Sequence, residues 1–231
     1  MENLLLVGIL LCAVVALFVL KKMFLPSASG GSILFLGEVG SGKTVMLFQL
    51  YQNVVRDTVT SQKENILKFV PDELVGVKRA AEYQYIDFPG HGSVRYKLEK
   101  FLSSAKAVVF VVDSAAPEKF QAAAERLYHV LVALVSRKHV PLLVALNKVD
   151  KTSAVDHDKT KNKLESYIEQ TRHLQSSVAT LGDDQDAKAV EVGVAGKPFT
   201  FEDVPFKVQL CSLSGLERKS LVAVTDFIAS C

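Results

Sequence analysis

Eight consecutive residues, Gly37-Glu38-Val39-Gly40-Ser41-Gly42-Lys43-Thr44, constrain this chain more than any others. They match GxxxxGK(S/T) at every fixed position. An apolar run, Ser32 to Leu36, leads into them and reads as a buried strand. An amphipathic segment, Val45 to Asn53, follows and reads as a helix. Strand, glycine loop and helix form the setting in which backbone N–H groups and a helix N-terminus wrap phosphates, with glycines permitting the close approach. In that setting Lys43 reaches β- and γ-phosphates, and the Thr44 hydroxyl ligates Mg2+.

Two further motifs fall downstream in order. Asp87-Phe88-Pro89-Gly90-His91 ends a strand-like alternation, Glu82 to Ile86. In this DxxG arrangement Asp87 would hold Mg2+ through water, and the Gly90 N–H would bond a γ-phosphate. Asn147-Lys148-Val149-Asp150 follows the apolar strand Val140 to Leu146. This NKxD element names the base as guanine. Asp150 can accept two hydrogen bonds from the guanine ring N–H and exocyclic amino group, whereas adenine offers a lone pair at that ring position. Charge-assisted bonds of about 1.5–3 kcal/mol each would be lost with adenine. Asn147 is suited to the imidazole edge of the base, and the Lys148 stem to its face. An ATP-using kinase-like enzyme is disfavoured by the same element.

Between the first helix and the next strand lies Arg56-Asp57-Thr58-Val59-Thr60-Ser61. A threonine here would close over Mg2+ and the γ-phosphate; Thr60 is the first choice and Thr58 the second. Asp113 ends another core strand, and a structural or capping role is expected for it, because Asp87 already fills the metal-proximal place.

The N-terminus adds a different constraint. Leu4 to Leu20 is an uncharged apolar run of seventeen residues, followed by Lys21 and Lys22. As a helix at roughly 1.5 Å per residue it nearly spans a ~30 Å hydrocarbon core, with lysine stems able to snorkel. The positive charges follow the run, which sets residues 1–3 outside or in a lumen and the rest of the chain in the cytosol. A cleaved signal peptide is the rival reading, but the segment before the run carries no positive charge. The expected organisation is a lumenal stub at 1–3, an anchor at 4–25, a linker at 26–31 and a cytosolic domain at 32–231.

Strands are expected near 32–36, 66–70, 82–87, 107–112, 140–146 and 206–211, alternating with helices. That pattern gives an α/β fold with a six-stranded, mostly parallel sheet, helices on both faces and the ligand at the carboxyl ends of the strands. A helix is expected from Lys159 to Leu174, a mobile polar loop from Gln175 to Lys197, and a closing helix from Arg218 to Ala229. The net charge of +2 and the lack of a Lys/Arg stripe argue against nucleic-acid binding. The three cysteines, Cys12, Cys211 and Cys231, form neither a disulfide framework nor a metal-ligand spacing, which fits a reducing compartment.

These motifs, the anchor ending in lysines, the VVFVVDSAA run (108–116) and the stretch Phe199 to Ser212 together resemble the beta-subunit family of signal recognition particle receptors, within the Arf/Sar-related small GTPases. The resemblance implies a Ras-like P-loop GTPase fold and a single-pass protein of the endoplasmic reticulum membrane. It also implies GTP/GDP and Mg2+ as ligands, and a role in anchoring the receptor's alpha subunit through that subunit's N-terminal domain, with ribosome and translocon as indirect partners. Cys211-Ser212-Leu213 occupies the place where small GTPases turn backbone N–H groups toward the guanine oxygen, although Leu213 replaces the usual Ala. His91 stands where the water-orienting Gln is usual, and Val39 where many relatives carry glycine. Both departures point to slow intrinsic turnover. The alternative is an Arf/Sar-type switch that recruits coat or tether proteins to a membrane.

Overall fold

The computed structural model describes residues 31–56, 64–71, 82–90, 95–135, 137, 140–181 and 192–231. The apolar run at 4–20, Thr58, Thr60 and His91 lie outside the described residues. Among the described residues no helix is long and apolar enough to cross a membrane. Ser32–Cys231 forms one compact unit.

Among the described residues six strands form one sheet: β1 (Ser32–Gly37), β2 (Asn65–Phe69), β3 (Tyr83–Asp87), β4 (Ala105–Asp113), β5 (Leu142–Asn147) and β6 (Val208–Ser212). Their spatial order is β2-β3-β1-β4-β5-β6. Among the described residues the β2–β3 pair is antiparallel, and β3–β1, β1–β4, β4–β5 and β5–β6 are parallel. The helices are α1 (Lys43–Gln52), α2 (Arg95–Leu102), α3 (Phe120–Val135), α4 (His157–Leu181) and α5 (Val222–Ala229).

Strand alternation sorts the core into two layers. Ile33 and Phe35 of β1, with Val109, Val111, Leu143 and Ala145, pack under α1 and α5 through Met46, Leu47, Leu50, Val224 and Phe227. Leu34 and Leu36, with Val108, Phe110, Val112, Val144 and Leu146, pack under α3 and α4 through Phe120, Leu127, Leu131, Leu164 and Ile168. All six residues of β1 and all six of β5 are buried. Strands covered on both faces read as continuous apolar runs, which is why they stood out in the sequence.

The run after Leu174 departs from expectation. Residues through Leu181 are helical, so α4 runs seven residues further toward the C-terminus than the polar composition implied. Ser176 and Ser177 return their hydroxyls to His173 O, both at 2.9 Å, and no glycine or proline intervenes before Gly182. Such back-bonding lets serines continue a helix. The segment at 192–201 is strapped to α4. Arg172 donates to Val192 O, Val194 O and Lys197 O, at 3.3, 3.2 and 2.6 Å. Glu169 and Glu165 accept the Phe199 and Phe201 N–H groups at 2.8 and 3.0 Å. The closing helix also differs, beginning as a 3-10 turn, Arg218–Leu221, before α5.

Where β1 ends, Gly37 adopts φ +135°, and a Cβ there would collide with Val111 O on β4. Glycine is therefore required for both conformation and space. Gly37→Ala should lower unfolding stability by roughly 2–4 kcal/mol, the sum of left-handed strain and overpacking. Urea denaturation of the purified protein measures it.

Candidate nucleotide site

The glycine loop leaves β1 at the middle of the sheet and enters α1 directly. Gly40 and Gly42 take φ +78° and +94°. Nothing lies within 4 Å of a Cβ built on Gly40, so the loop faces open space there. Lys43 is 94% buried, and its ammonium donates to Gly37 O at 2.9 Å and Glu38 O at 2.7 Å. Burial pushes it down from 10.5 to about 8, with Arg126 adding to the fall and Asp87 and Glu38 opposing it. The Thr44 hydroxyl donates to Asp87 Oδ2 at 2.6 Å, and Asn65 Nδ2 to the same oxygen at 3.2 Å.

The DxxG segment is held against this loop. Phe88 N donates to Phe35 O at 3.0 Å. Gly90 is buried, and a Cβ on it would lie 2.6 Å from Val39 N and 2.9 Å from both Glu38 C and Val39 Cγ2. The glycine thus seats the segment on the loop backbone, with a Val39 methyl beside it.

The NKxD turn closes the other side. Asn147 is buried, and its Nδ2 donates to Ser41 O at 2.7 Å. Its Oδ1 accepts Lys148 N and Gly215 N, both at 2.8 Å. A side-chain amide nitrogen carries two hydrogens, and the bond to Ser41 uses one of them. Lys148 has φ +68°, uncommon for a residue with a side chain. Its ammonium donates to Gly40 O at 2.6 Å and pairs with Asp113, so the alkyl stem is stretched across the site. Asp113 also accepts Ala115 N at 3.1 Å. It caps the strand end, as expected, and in addition anchors Lys148. Asp150 lies exposed in the turn after β5.

Cys211, Ser212 and Leu213, expected at the guanine oxygen, lie at the end of β6. Cys211 and Ser212 pair with Ala145 and Leu146 in the ladder. The Leu213 N–H donates to Leu146 O at 2.9 Å, so it is already taken by the sheet. The first amide beyond β6 held by a side chain is Ser214 N, which donates to Ser220 Oγ at 2.8 Å. The Ser212 hydroxyl is bonded to the His157 ring at 2.8 Å. Burial raises the Cys211 thiol to about 11, so it stays protonated.

Four residues escaped the sequence reading: Asn65, Gly215, Ser220 and Arg126. Arg126, on α3, pairs with Glu38 at 2.6 Å. None carries a local signature; each acts on a partner distant in the chain.

The Lys43 setting fixes a pH response. A phosphate anion stabilises the charged ammonium, raising a value that stands near 8 without it. Polyphosphate binding should therefore take up a proton between about pH 8 and 10, and affinity should fall as pH rises through that window. Calorimetric titration in buffers of different ionisation enthalpy counts the protons. Lys43→Met should abolish both the uptake and most of the binding.

Comparisons with known proteins match this arrangement. The family model "Signal recognition particle receptor beta subunit" matches residues 28–208. The signal recognition particle receptor subunit beta of Mus musculus is 35% identical over 211 residues, covering 89% of this chain and 77% of the relative. A solved mammalian signal recognition particle receptor superposes with TM-score 0.73 at 31% identity, over 86% of this chain and 98% of that one. A signal recognition particle receptor SRb-GTP/SRX complex from Chaetomium thermophilum shares the fold, with TM-score 0.71 at 21% identity over 86% of this chain and 99% of that one. An ADP-ribosylation factor of Encephalitozoon cuniculi is 29% identical over 52% of this chain and 53% of the relative. The chain belongs to the signal recognition particle receptor beta-subunit family.

Proposed function

We propose that this chain is a GTP-binding, membrane-anchored receptor subunit that holds the receptor's alpha subunit at the endoplasmic reticulum in a GTP-dependent way. The observation that carries the reading is the convergence of Lys43, Thr44, Asp87, Gly90 and Asn147 at one end of the sheet, in a chain of this family.

The loop amides from Gly37 to Thr44 wrap the phosphates. Lys43 exchanges the carbonyls of Gly37 and Glu38 for phosphate oxygens. Thr44 Oγ1 and Asp87 Oδ2, 2.6 Å apart, are a hydroxyl–carboxylate set of the kind a hard cation takes, with Asp87 acting through water. Thr44 and Asp87 would hold Mg2+, which would supply neutralisation of phosphate charge. Asp150 selects guanine, the second Asn147 N–H meets the imidazole edge, and the Lys148 stem packs on the ring. Ser214 N–H, released from Ser220, is the amide available to the guanine oxygen, in the role first expected of Cys211, Ser212 and Leu213.

Thr60, or Thr58 in its stead, closes over Mg2+ and the γ-phosphate, while Gly90 N–H bonds the γ-phosphate. His91 orients the attacking water, and with Val39 beside Gly90 the intrinsic turnover is slow. The run at 4–25 spans the membrane once, 1–3 is lumenal, 26–31 links, and 32–231 is cytosolic; the lysines after the run support this orientation. The alpha subunit's N-terminal domain is the direct partner, in keeping with the GTP-bound SRX complex of the fungal relative. Ribosome and translocon are reached indirectly. The Arf/Sar-type reading is less well supported, because that match spans about half the chain.

Two experiments test this. Asp150→Asn should weaken GTP binding by roughly 100-fold or more, through loss of two charge-assisted bonds of ~1.5–3 kcal/mol each, and should favour xanthosine triphosphate. Competition binding measures both; an unchanged preference for GTP would remove Asp150 from the base site. In pull-downs, GTP-loaded protein should capture the alpha-subunit domain and GDP-loaded protein should not. Thr60→Ala should reduce capture while sparing GDP affinity, since a ligand shifts a switch only through contacts that differ between its states. Equal capture with GDP and GTP would sink the gated role.

A further inference from the structure

A carboxylate built into a loop that binds anions is an electrostatic liability, and Glu38 is such a carboxylate. Its carbonyl accepts Lys43 Nζ at 2.7 Å and Ser41 N at 3.2 Å. Its carbonyl carbon and the Val39 N–H lie directly beneath Gly90. Its side chain, 19% exposed, turns away to α3 and pairs with Arg126 Nε at 2.6 Å. Arg126 has a fixed origin, because Ala123, Ala124, Leu127 and Val130 around it on α3 are buried in the core. Both charges are felt at the site: Arg126 pushes the Lys43 ammonium down and Glu38 pushes it up.

We infer that Arg126 is a positioning residue for nucleotide binding, neutralising the Glu38 carboxylate and holding it on α3, so that the loop presents its N–H groups and not that charge to the phosphates. The inference rests on the GTP reading above. Without Arg126 an uncompensated, partly buried charge remains in the loop. Like charges in such surroundings repel over several ångströms, and more strongly for each added phosphate charge. The pair therefore acts on affinity in proportion to phosphate charge.

The test is a double-mutant cycle on the full chain in detergent, titrated with GTP, GDP and GMP. Arg126→Gln should weaken GTP roughly tenfold, GDP less and GMP least. Glu38→Gln alone should tighten GTP, since Arg126 is then unopposed. The double variant should recover affinity relative to Arg126→Gln, and Arg126→Lys should retain most of the original binding. Thermal unfolding identifies any variant that fails to fold; the Glu38→Gln and Arg126→Lys results then still decide the matter through the sign of the first and the rescue by the second. Equal losses for all three nucleotides, or weaker GTP binding by Glu38→Gln, would overturn the inference while leaving the GTP reading intact. Failure of the unmodified chain to bind any guanine nucleotide would overturn that reading, and this inference with it.

Discussion

The carboxamide of Asn147 is the interaction on which the rest of the site depends. Three segments end near one another because three strands run parallel, but parallel strands alone do not lock their loops. Asn147 does so, joining Ser41 O of the phosphate loop, its own turn through Lys148 N, and the loop after β6 through Gly215 N. The amide is buried, so each bond lost would leave a desolvated polar group, at a cost of about 1–3 kcal/mol. The approach also explains Gly42. A Cβ there would strike Asn147 Nδ2, and the residue sits at φ +94°. One side chain thereby sets the distance between the part of the site that meets phosphate and the part that meets base.

Around that link, polar groups satisfy one another in ways a ligand can replace. The Lys43 ammonium is held by two carbonyls, Thr44 by Asp87, and Ser214 N by Ser220. Each bond maintains a rotamer and avoids an orphaned group, so ligand binding exchanges partners instead of building a site from nothing. Lys148 differs: its left-handed backbone is strained by about 1–2 kcal/mol. Bonds to Gly40 O and Asp113 at the far end of the side chain offset that strain and keep the stem extended.

What was legible in the sequence follows from this physics. β1 and β5 are buried on both faces, and their apolar runs announced them. The glycine loop and the NKxD turn are short, local and chemically specific, so spacing alone was enough to read them. The bond from Leu213 N–H to Leu146 O was not legible, because sequence does not reveal which amides a ladder consumes. Residues 175–181 were misread because polar composition resembles a loop, while Ser176 and Ser177 bond back to their own helix. The pairs Asp113–Lys148 and Glu38–Arg126 were invisible, since neither partner is unusual until the fold brings the other to it.

The topology explains why α3 of all helices reaches the phosphate loop. From β1 the chain moves outward to β2 and β3 on one side, and then crosses to β4, β5 and β6 on the other. Strands β1 and β4 are therefore the pair at which the winding reverses, and in such sheets the crevice opens above the reversal. The loop leaving β1 runs to α1, which packs on one face through Met46, Leu47 and Leu50. The loop leaving β4 runs to α3, which packs on the opposite face through Phe120, Leu127 and Leu131. Any side chain lining the crevice must come from one of those two departures or from their neighbours at the strand ends. Lys43 and Thr44 come from the first; Asp113 and Arg126 come from the second. A charge on α3 thus meets Glu38 because the reversal puts both at the same opening.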